Sequence, residues 1–300
     1  MHIRVLGAAA GGGFPQWNCG CSNCLRLRQG RFNGKARTQT QLAVSADDKT
    51  WFLLNASPDL RSQIESYPPL HPRAESFRDS PIAGAVLTSA EVDAALGLLL
   101  LRESQPFSIY ATRAVRDILE CDNSLFQVLQ RQPDQVKWQC LVPGVRFPLN
   151  ESGIDCLSMT SGESFPGFVS PTRRNSFEAA EAVIGIVLEH NGRRVAVVPG
   201  ASHVTADWLA CFETCDAIFF DGTFWSEDEL IRLVISSKAA RDMGHQPVPA
   251  TLAALSSVPA RKIFIHINNT NPMLDEDSEQ FRTARAAGWE IAWDGMDVVV

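Results

Sequence analysis

The feature that most restricts how this 300-residue chain can fold is a local pattern repeated along its length: a short β-branched run that stops at glycine, amide or small polar residues. Ile3–Leu6 leads into Leu6-Gly7-Ala8-Ala9-Ala10-Gly11-Gly12-Gly13, Thr50–Leu54 into Asn55-Ala56-Ser57-Pro58-Asp59, and Gly84–Leu87 into Thr88-Ser89-Ala90-Glu91-Val92-Asp93. Arg194–Val198 leads into Pro199-Gly200-Ala201-Ser202-His203, Ala217–Phe220 into Asp221-Gly222-Thr223, and Lys262–Ile265 into His266-Ile267-Asn268-Asn269-Thr270-Asn271. Strand ends gathered at one sheet edge are where α/β proteins place their chemistry. Six such clusters predict one site assembled from the whole chain, and hence a single domain over residues 1–300. Further strands are expected over Val183–Leu188 and Glu290–Trp293. Helices are expected over Pro58–Glu65, Val92–Arg102, Ala114–Leu129, Ala206–Cys211, Thr251–Ser256 and Ser278–Ala287, which makes the chain α/β. The polar stretch Ser161–Arg174 reads as a long loop, of the kind that covers or lines a site.

A chain with 45% hydrophobic and 20% charged residues can bury a substantial core. Its net charge of −7 disfavours a nucleic-acid partner, which requires a basic face. The longest apolar run, Ala94 to Leu101, meets Arg102 and Glu103 long before a membrane span is complete. Met1–Gly7 reads as a strand and lacks the sections of a signal peptide, so a cytoplasmic location is expected. Disulfides are accordingly not expected from the eight cysteines.

Three of those cysteines crowd into Cys19-Gly20-Cys21-Ser22-Asn23-Cys24. Thiolates at i, i+2 and i+5 on a loop can converge on one borderline-soft cation, and zinc suits three sulfurs plus one further donor. Such a site is closed and structural, its binding energy serving the fold. The fourth donor must arrive from elsewhere in the chain. Cys121, Cys140, Cys156, Cys211 and Cys215 sit among apolar neighbours and read as small buried hydrophobes. Gly11–Gly13 lacks the pattern of a nucleotide loop and reads instead as backbone that must approach a neighbouring loop or a metal.

Glu91 and Asp93 open a helical run, where acids complement the helix dipole. His266 closes a strand beside several amides, a position open to a metal ligand or to a hydrogen-bonded structural histidine. His245 is placed to read a substrate carboxylate or to cap the helix that follows it. His203 reads as a surface residue.

Taken together these residues resemble the protein B family of pyrroloquinoline quinone (PQQ) biosynthesis, a branch of the metallo-β-lactamase superfamily. The matching runs are Ala9–Cys19 with Cys21 and Cys24, Lys35-Ala36-Arg37-Thr38-Gln39, Asn55–Asp59, Gly97-Leu98-Leu99, Asp221-Gly222-Thr223 with Trp225, Met243-Gly244-His245, His266–Pro272 and Asp294-Gly295-Met296. The resemblance implies a metallo-β-lactamase-like αββα sandwich, a structural zinc on Cys19, Cys21 and Cys24, and a reaction centre at the strand ends. It implies a glutamate–tyrosine-derived PQQ precursor as ligand, an iron-dependent hydroxylation of the tyrosine ring, and other proteins of the pathway as partners. Superfamily hydrolases read T-H-x-H-x-D-H-x-x-G where this chain has Thr88 to Gly97. Asp93 and Gly97 match that frame, whereas Ser89, Glu91 and Ala94 stand in histidine places. Members of the protein B family carry histidine where this chain has Ala94. Within that resemblance Glu91, Asp93 and His266 are the expected second metal set, holding iron or another divalent ion, and Asp93, His266 and His245 the expected catalytic residues. The alternative is a non-catalytic binding or carrier protein for PQQ or its precursor, with a transport role, that keeps only the zinc. Hydrolysis ranks last because the histidines it needs are missing.

Overall fold

Side-chain alternation sorts the strands into layers. In Ala217–Asp221, Ala217 and Phe219 face one apolar cluster while Ile218 and Phe220 face another. That period of two is what a sheet covered on both faces requires. The computed structural model describes residues 1–73 and 77–300. Its first sheet contains β1 (His2–Gly7), β2 (Gln41–Ser45), β3 (Trp51–Leu54), β4 (Ile82–Val86), β5 (Phe107–Thr112) and β6 (Val136–Leu141) in sequential order. The second contains β7 (Arg146–Pro148), β8 (Asp155–Gly162), β9 (Val183–His190), β10 (Arg193–Val198), β11 (Ala217–Asp221), β12 (Arg261–Ile265) and β13 (Trp289–Ile291). The last strand, β14 (Asp297–Val299), returns to pair antiparallel with β1. Parallel pairing links β3 through β6 and again β10 through β13.

The sheets share a core. Ile3, Val5, Val44 and Phe52 of the first meet Ile186, Val197, Phe219 and Ile263 of the second, all at most 2% exposed. Burying each such side chain contributes about 1.5–3 kcal/mol. Helices cover the outer faces: Val115 and Ile118 lie against the first sheet, Trp208 and Phe212 against the second. This is the αββα sandwich that the resemblance implied. Among the described residues no helix is long and apolar enough to cross a membrane.

Two expected helices are interrupted. The run Val92–Arg102 is α-helical only over Val92–Ala95 and tightens to 3-10 geometry over Leu96–Leu101. The cause is docking on the loop after β3, where Ala56 N–H donates to Ala94 O at 2.7 Å and Gly97 N–H to Ala56 O at 2.8 Å. The run Ala114–Leu129 breaks after the helix Arg113–Glu120, because the Asn123 side chain accepts from Leu125 N–H and starts a separate 3-10 turn, Ser124–Gln130. Strands β2, β5, β6, β7, β8 and β14 were not expected. β2 and β5 are buried on both faces and so show no alternation, whereas Asp155-Cys156-Leu157-Ser158 in β8 is polar enough to resemble a loop. The loop expected over Ser161–Arg174 is shorter at both ends, since β8 runs to Gly162 and a helical turn covers Pro171–Arg174. Of the five scattered cysteines, Cys156 and Cys215 are buried and Cys211 partly so, but Cys121 and Cys140 are exposed. Cys140 lies on the edge strand of its sheet, and Cys121 just past a helix end.

Gly97 allows the close approach that seats the Asp93 turn. A Cβ there would lie 2.2 Å from Ser57 O and 2.8 Å from Ala56 O, both main-chain atoms with little room to move. Gly97→Ala is therefore expected to cost about 3 kcal/mol in urea-induced unfolding. An unchanged midpoint would mean that this approach is not tight.

Candidate functional site

The cysteine cluster is built by the first turn of a helix. Cys21 caps the helix Ser22–Arg28 and Cys24 lies in its first turn, so only Cys19 belongs to the preceding loop. The three sulfurs lie within 4.8 Å of one another. The side-chain amide of Asn269 sits over them, its Nδ2 at 3.0 Å from Cys19 Sγ, 3.6 Å from Cys21 Sγ and 3.4 Å from Cys24 Sγ. Asn23 fastens that segment by donating to the carbonyls of Asn269 at 3.1 Å and Asn271 at 3.0 Å. Burial, with the neighbouring sulfurs, pushes the Cys21 thiol up to about 12. Three thiolates therefore share this space only when a cation neutralises them. An amide nitrogen and oxygen have nearly the same shape, so turning the Asn269 amide over presents Oδ1 to the same point. Three sulfurs and one oxygen fit a tetrahedral zinc.

The second cluster lies at the floor of a cleft of about 1320 Å³, to which every one of the six strand-end clusters contributes a wall: Gly11, Asn55, Asp93, Gly200, Thr223 and His266 among them. Ser161 and Gly162 also line it, as does the exposed His203. Gly11 has no side chain to keep it from Asp93; a Cβ there would stand 3.4 Å from Asp93 Oδ2. His266 ends β12 in the left-handed region, with φ +58°. A non-glycine residue held there signals a constrained, often functional, position. Its Nε2 lies 3.0 Å from Asp93 Oδ2 and its Nδ1 2.8 Å from Thr223 Oγ1. The His245 ring stacks on it, with centroids 5.3 Å apart and planes at 25°. His245 Nδ1 is 2.7 Å from Asp221 Oδ2.

The electrostatics follow from this pairing. Burial opposes ionisation of Asp93, but the hydrogen bond and charge of His266 outweigh it and hold the carboxyl below its ordinary range. Burial likewise opposes the His266 imidazolium, and Asp93 more than compensates, so His266 is shifted upward. Glu91 moves the other way: desolvation of its carboxyl and the neighbouring charge of Asp93 push it up. Among the described residues nothing donates a hydrogen bond to the Glu91 carboxylate.

Sequence reasoning thus named Asp93, His266 and His245, which the structure brings together, and Glu91, which lines the same cleft apart from that cluster. It missed Asp221 as a site residue. Asp221, His245 and His266 lie mutually within 4.8 Å. The available signal was the acid that closes β11 in Asp221-Gly222-Thr223. Ala94 lines the cleft beside Asp93, as the superfamily frame places it. His245 does not cap the next helix; its ring is turned to Asp221. Two imidazoles and nearby carboxylates form a donor set suited to a divalent transition metal.

Residues 50–267 match the family model of the β-lactamase superfamily domain. Over the full length of both chains, the protein is 43% identical to coenzyme PQQ synthesis protein B of Methylococcus capsulatus and 40% identical to that of Xanthomonas oryzae. The crystal structure of Zn(2+)-bound PqqB from Methylobacterium extorquens superposes with a TM-score of 0.93 at 39% identity, covering 100% of each chain. A diphosphatase of the PhnP family shares the fold at 17% identity and a TM-score of 0.68.

Loss of one thiolate leaves the amide and two sulfurs around the same point. Cys21→Ser is expected to remove stoichiometric zinc and lower the thermal midpoint substantially, because structural zinc contributes folding energy directly. Metal analysis and calorimetry on the variant check this, and full zinc content with an unchanged midpoint would refute it.

Proposed function

The chain belongs to the coenzyme PQQ synthesis protein B family of the β-lactamase superfamily, and from that premise we propose a metal-dependent oxidation in the cytoplasm, hydroxylating the aromatic ring of a tyrosine-derived PQQ precursor. A role in PQQ biosynthesis follows from full-length relatives at 40–43% identity. In this reading zinc is held by Cys19, Cys21 and Cys24, with Asn269 as the fourth donor. The reaction belongs to the cleft, and the observation that carries it is the Asp93–His266 pair with His245 stacked beside it at the cleft floor.

Asp93, His245 and His266 are the residues that would hold iron or another divalent ion. Bound there, such an ion would supply the redox chemistry that ring oxidation needs, with dioxygen as the oxidant and the source of the oxygen atom. The chain's own residues do the rest. The Asp93 carboxylate stays ionised and available as a donor. Glu91, its carboxyl shifted upward by burial and by the charge of Asp93, lines the cleft wall within reach of a bound ligand. Gly11 brings main chain close to Asp93 without side-chain bulk. A cleft of about 1320 Å³ exceeds the ~300–1,000 Å³ of small-ligand sites and accommodates a dipeptide-sized precursor. Other proteins of the pathway are the expected suppliers of that ligand.

Ala94 favours a second reading, a binding protein that keeps zinc alone and carries the precursor or the finished cofactor. Metal analysis of the purified protein separates the two: iron or another redox metal retained beside zinc supports the enzyme, and zinc alone supports the carrier. Asp93→Ala is expected to change unfolding free energy by about 1–2 kcal/mol while abolishing product formation. Activity that merely tracks the amount of folded protein would make Asp93 a brace. Ala94→His adds a nitrogen donor on the cleft wall. Calorimetry should show tighter divalent-metal binding that requires both Asp93 and His266. A gain that survives loss of His266 would separate those residues from one centre.

A further inference from the structure

The geometry points to Cys211 and Cys215 as a modification site of this chain: a thiol pair that a hydroperoxide closes into a reversible disulfide. The pair is separate from the cleft and from the cysteines near the N-terminus. It lies beside Arg194, near the start of β10, and Asp216, just before β11, whereas Gly200 and Thr223 of the cleft follow the other ends of those strands. The proposed oxidation does not involve these residues.

The end of one helix brings the two thiols together. Cys211 lies in the last turn of the helix Ala206–Phe212, and Thr214 N–H and Cys215 N–H fold back to Cys211 O at 3.1 Å and Phe212 O at 3.2 Å. That turn sets Cys215 Sγ 3.4 Å from Cys211 O and within hydrogen-bonding reach of Cys211 Sγ. Cys211 is partly exposed and Cys215 only 7% exposed. An oxidant from solution therefore meets Cys211 first, with Cys215 held behind it as the second thiol.

Arg194 makes the outer sulfur the reactive one. Its Nη2 lies 4.0 Å from Cys211 Sγ, and the guanidinium is braced by Thr214 Oγ1 and by Glu189, whose Oε1 is 2.8 Å from Arg194 Nε. The carbonyls of a helix end oppose an anion, and the guanidinium offsets them. The bond from the Cys215 thiol, with the charges of Arg194 and Arg146, outweighs burial and Glu189 and brings Cys211 down to about 7. Its bond to Cys211, burial and Asp216 push the Cys215 thiol upward. One member of the pair is thus a thiolate near neutral pH while its neighbour keeps a proton, the division that an attacking and a resolving cysteine require. Cys121 and Cys140 are more exposed, but among the described residues neither is hydrogen-bonded to a second thiol.

The chemistry closes on these atoms. The Cys211 thiolate attacks one peroxide oxygen, an S–O bond forms as O–O breaks, and the departing oxygen takes a proton from solvent, leaving a sulfenic acid and water. Cys215 sulfur then attacks the sulfenic sulfur. The S–S bond forms, S–O breaks, and hydroxide leaves as water with the Cys215 proton. Two electrons pass from the sulfurs to the peroxide, and exchange with a small dithiol returns them.

The test exposes the full, zinc-loaded chain to hydrogen peroxide at pH 7, blocks the remaining thiols with N-ethylmaleimide and maps peptides by mass spectrometry. The segment holding Cys211 and Cys215 should appear unblocked and lighter by two hydrogens, at a rate about tenfold above oxidation of Cys121 or Cys140, and dithiothreitol should restore both thiols. In Cys215→Ser the reaction should stop at a sulfenic acid on Cys211 that dimedone traps, and in Arg194→Gln it should slow about tenfold. Thermal midpoints of both variants establish that they are folded. In the unmodified protein, which needs no variant to fold, a pair that stays reduced while Cys121 or Cys140 oxidises overturns the inference. A Cys211–Cys215 bond that forms no faster than those exposed thiols react overturns it as well.

Discussion

The segment from His266 to Asn271 is held from several sides, and that hold keeps the cysteine cluster and the cleft in one frame. Ile267 donates from its main chain to Ala8 O at 3.0 Å and accepts from Ala10 N–H at 3.0 Å, which ties it to the loop after β1. Asn271 donates from its side chain to Gly222 O at 2.9 Å, and Asn23 reaches over from the cysteine helix to the carbonyls of Asn269 and Asn271. His266 therefore faces the cleft at one end while Asn269 faces the sulfurs three residues later. Neither end can shift without breaking buried hydrogen bonds, each of which costs about 1–3 kcal/mol to leave unmade. A zinc ion held by the cysteines would do more than close a loop: it would anchor the strand end that aims His266.

Glu229 reinforces the same segment from beneath. It is 4% exposed, and Thr270 donates to one of its oxygens while Trp225 N–H donates to the other at 2.7 Å. Burial pushes its carboxyl upward, with those bonds acting in opposition. A buried acid of this kind is tolerated only when its acceptors are filled. Its bond to Thr270, next in the chain to Asn269, ties the loop over the sulfurs to the segment after β11.

The chain is acidic overall, yet its cleft floor gathers two imidazoles against two carboxylates. Net charge therefore says little about the site. Asp93 and His266 shift in opposite directions because each stabilises the charged form of the other, and burial opposes both. Glu91, lacking such a partner, shifts upward instead. Acids two positions apart in the chain are thus shifted in opposite directions by what faces them across the cleft.

Legibility in the sequence followed contact range. Cys19, Cys21 and Cys24 were recognisable because they fall within six residues, so short-range spacing can bring the sulfurs together. The strand-end clusters were recognisable because alternation and glycine punctuation are local as well, whereas the αββα architecture followed from the family resemblance. Asp93 and His266 were named from those motifs, but their contact spans 173 residues, and the fourth group over the sulfurs lies 245 to 250 residues away. The Asp221–His245 and Thr223–His266 contacts likewise depend on how β11 and β12 pair and how the loop after the 3-10 turn Arg241–Met243 folds back. Sequence by itself determined which residue types stand at the strand ends and that three thiols crowd into six residues. Only the tertiary structure decided which groups the two cleft histidines meet and which amide covers the sulfurs, because strand register and burial set those distances, and neither is encoded by local spacing.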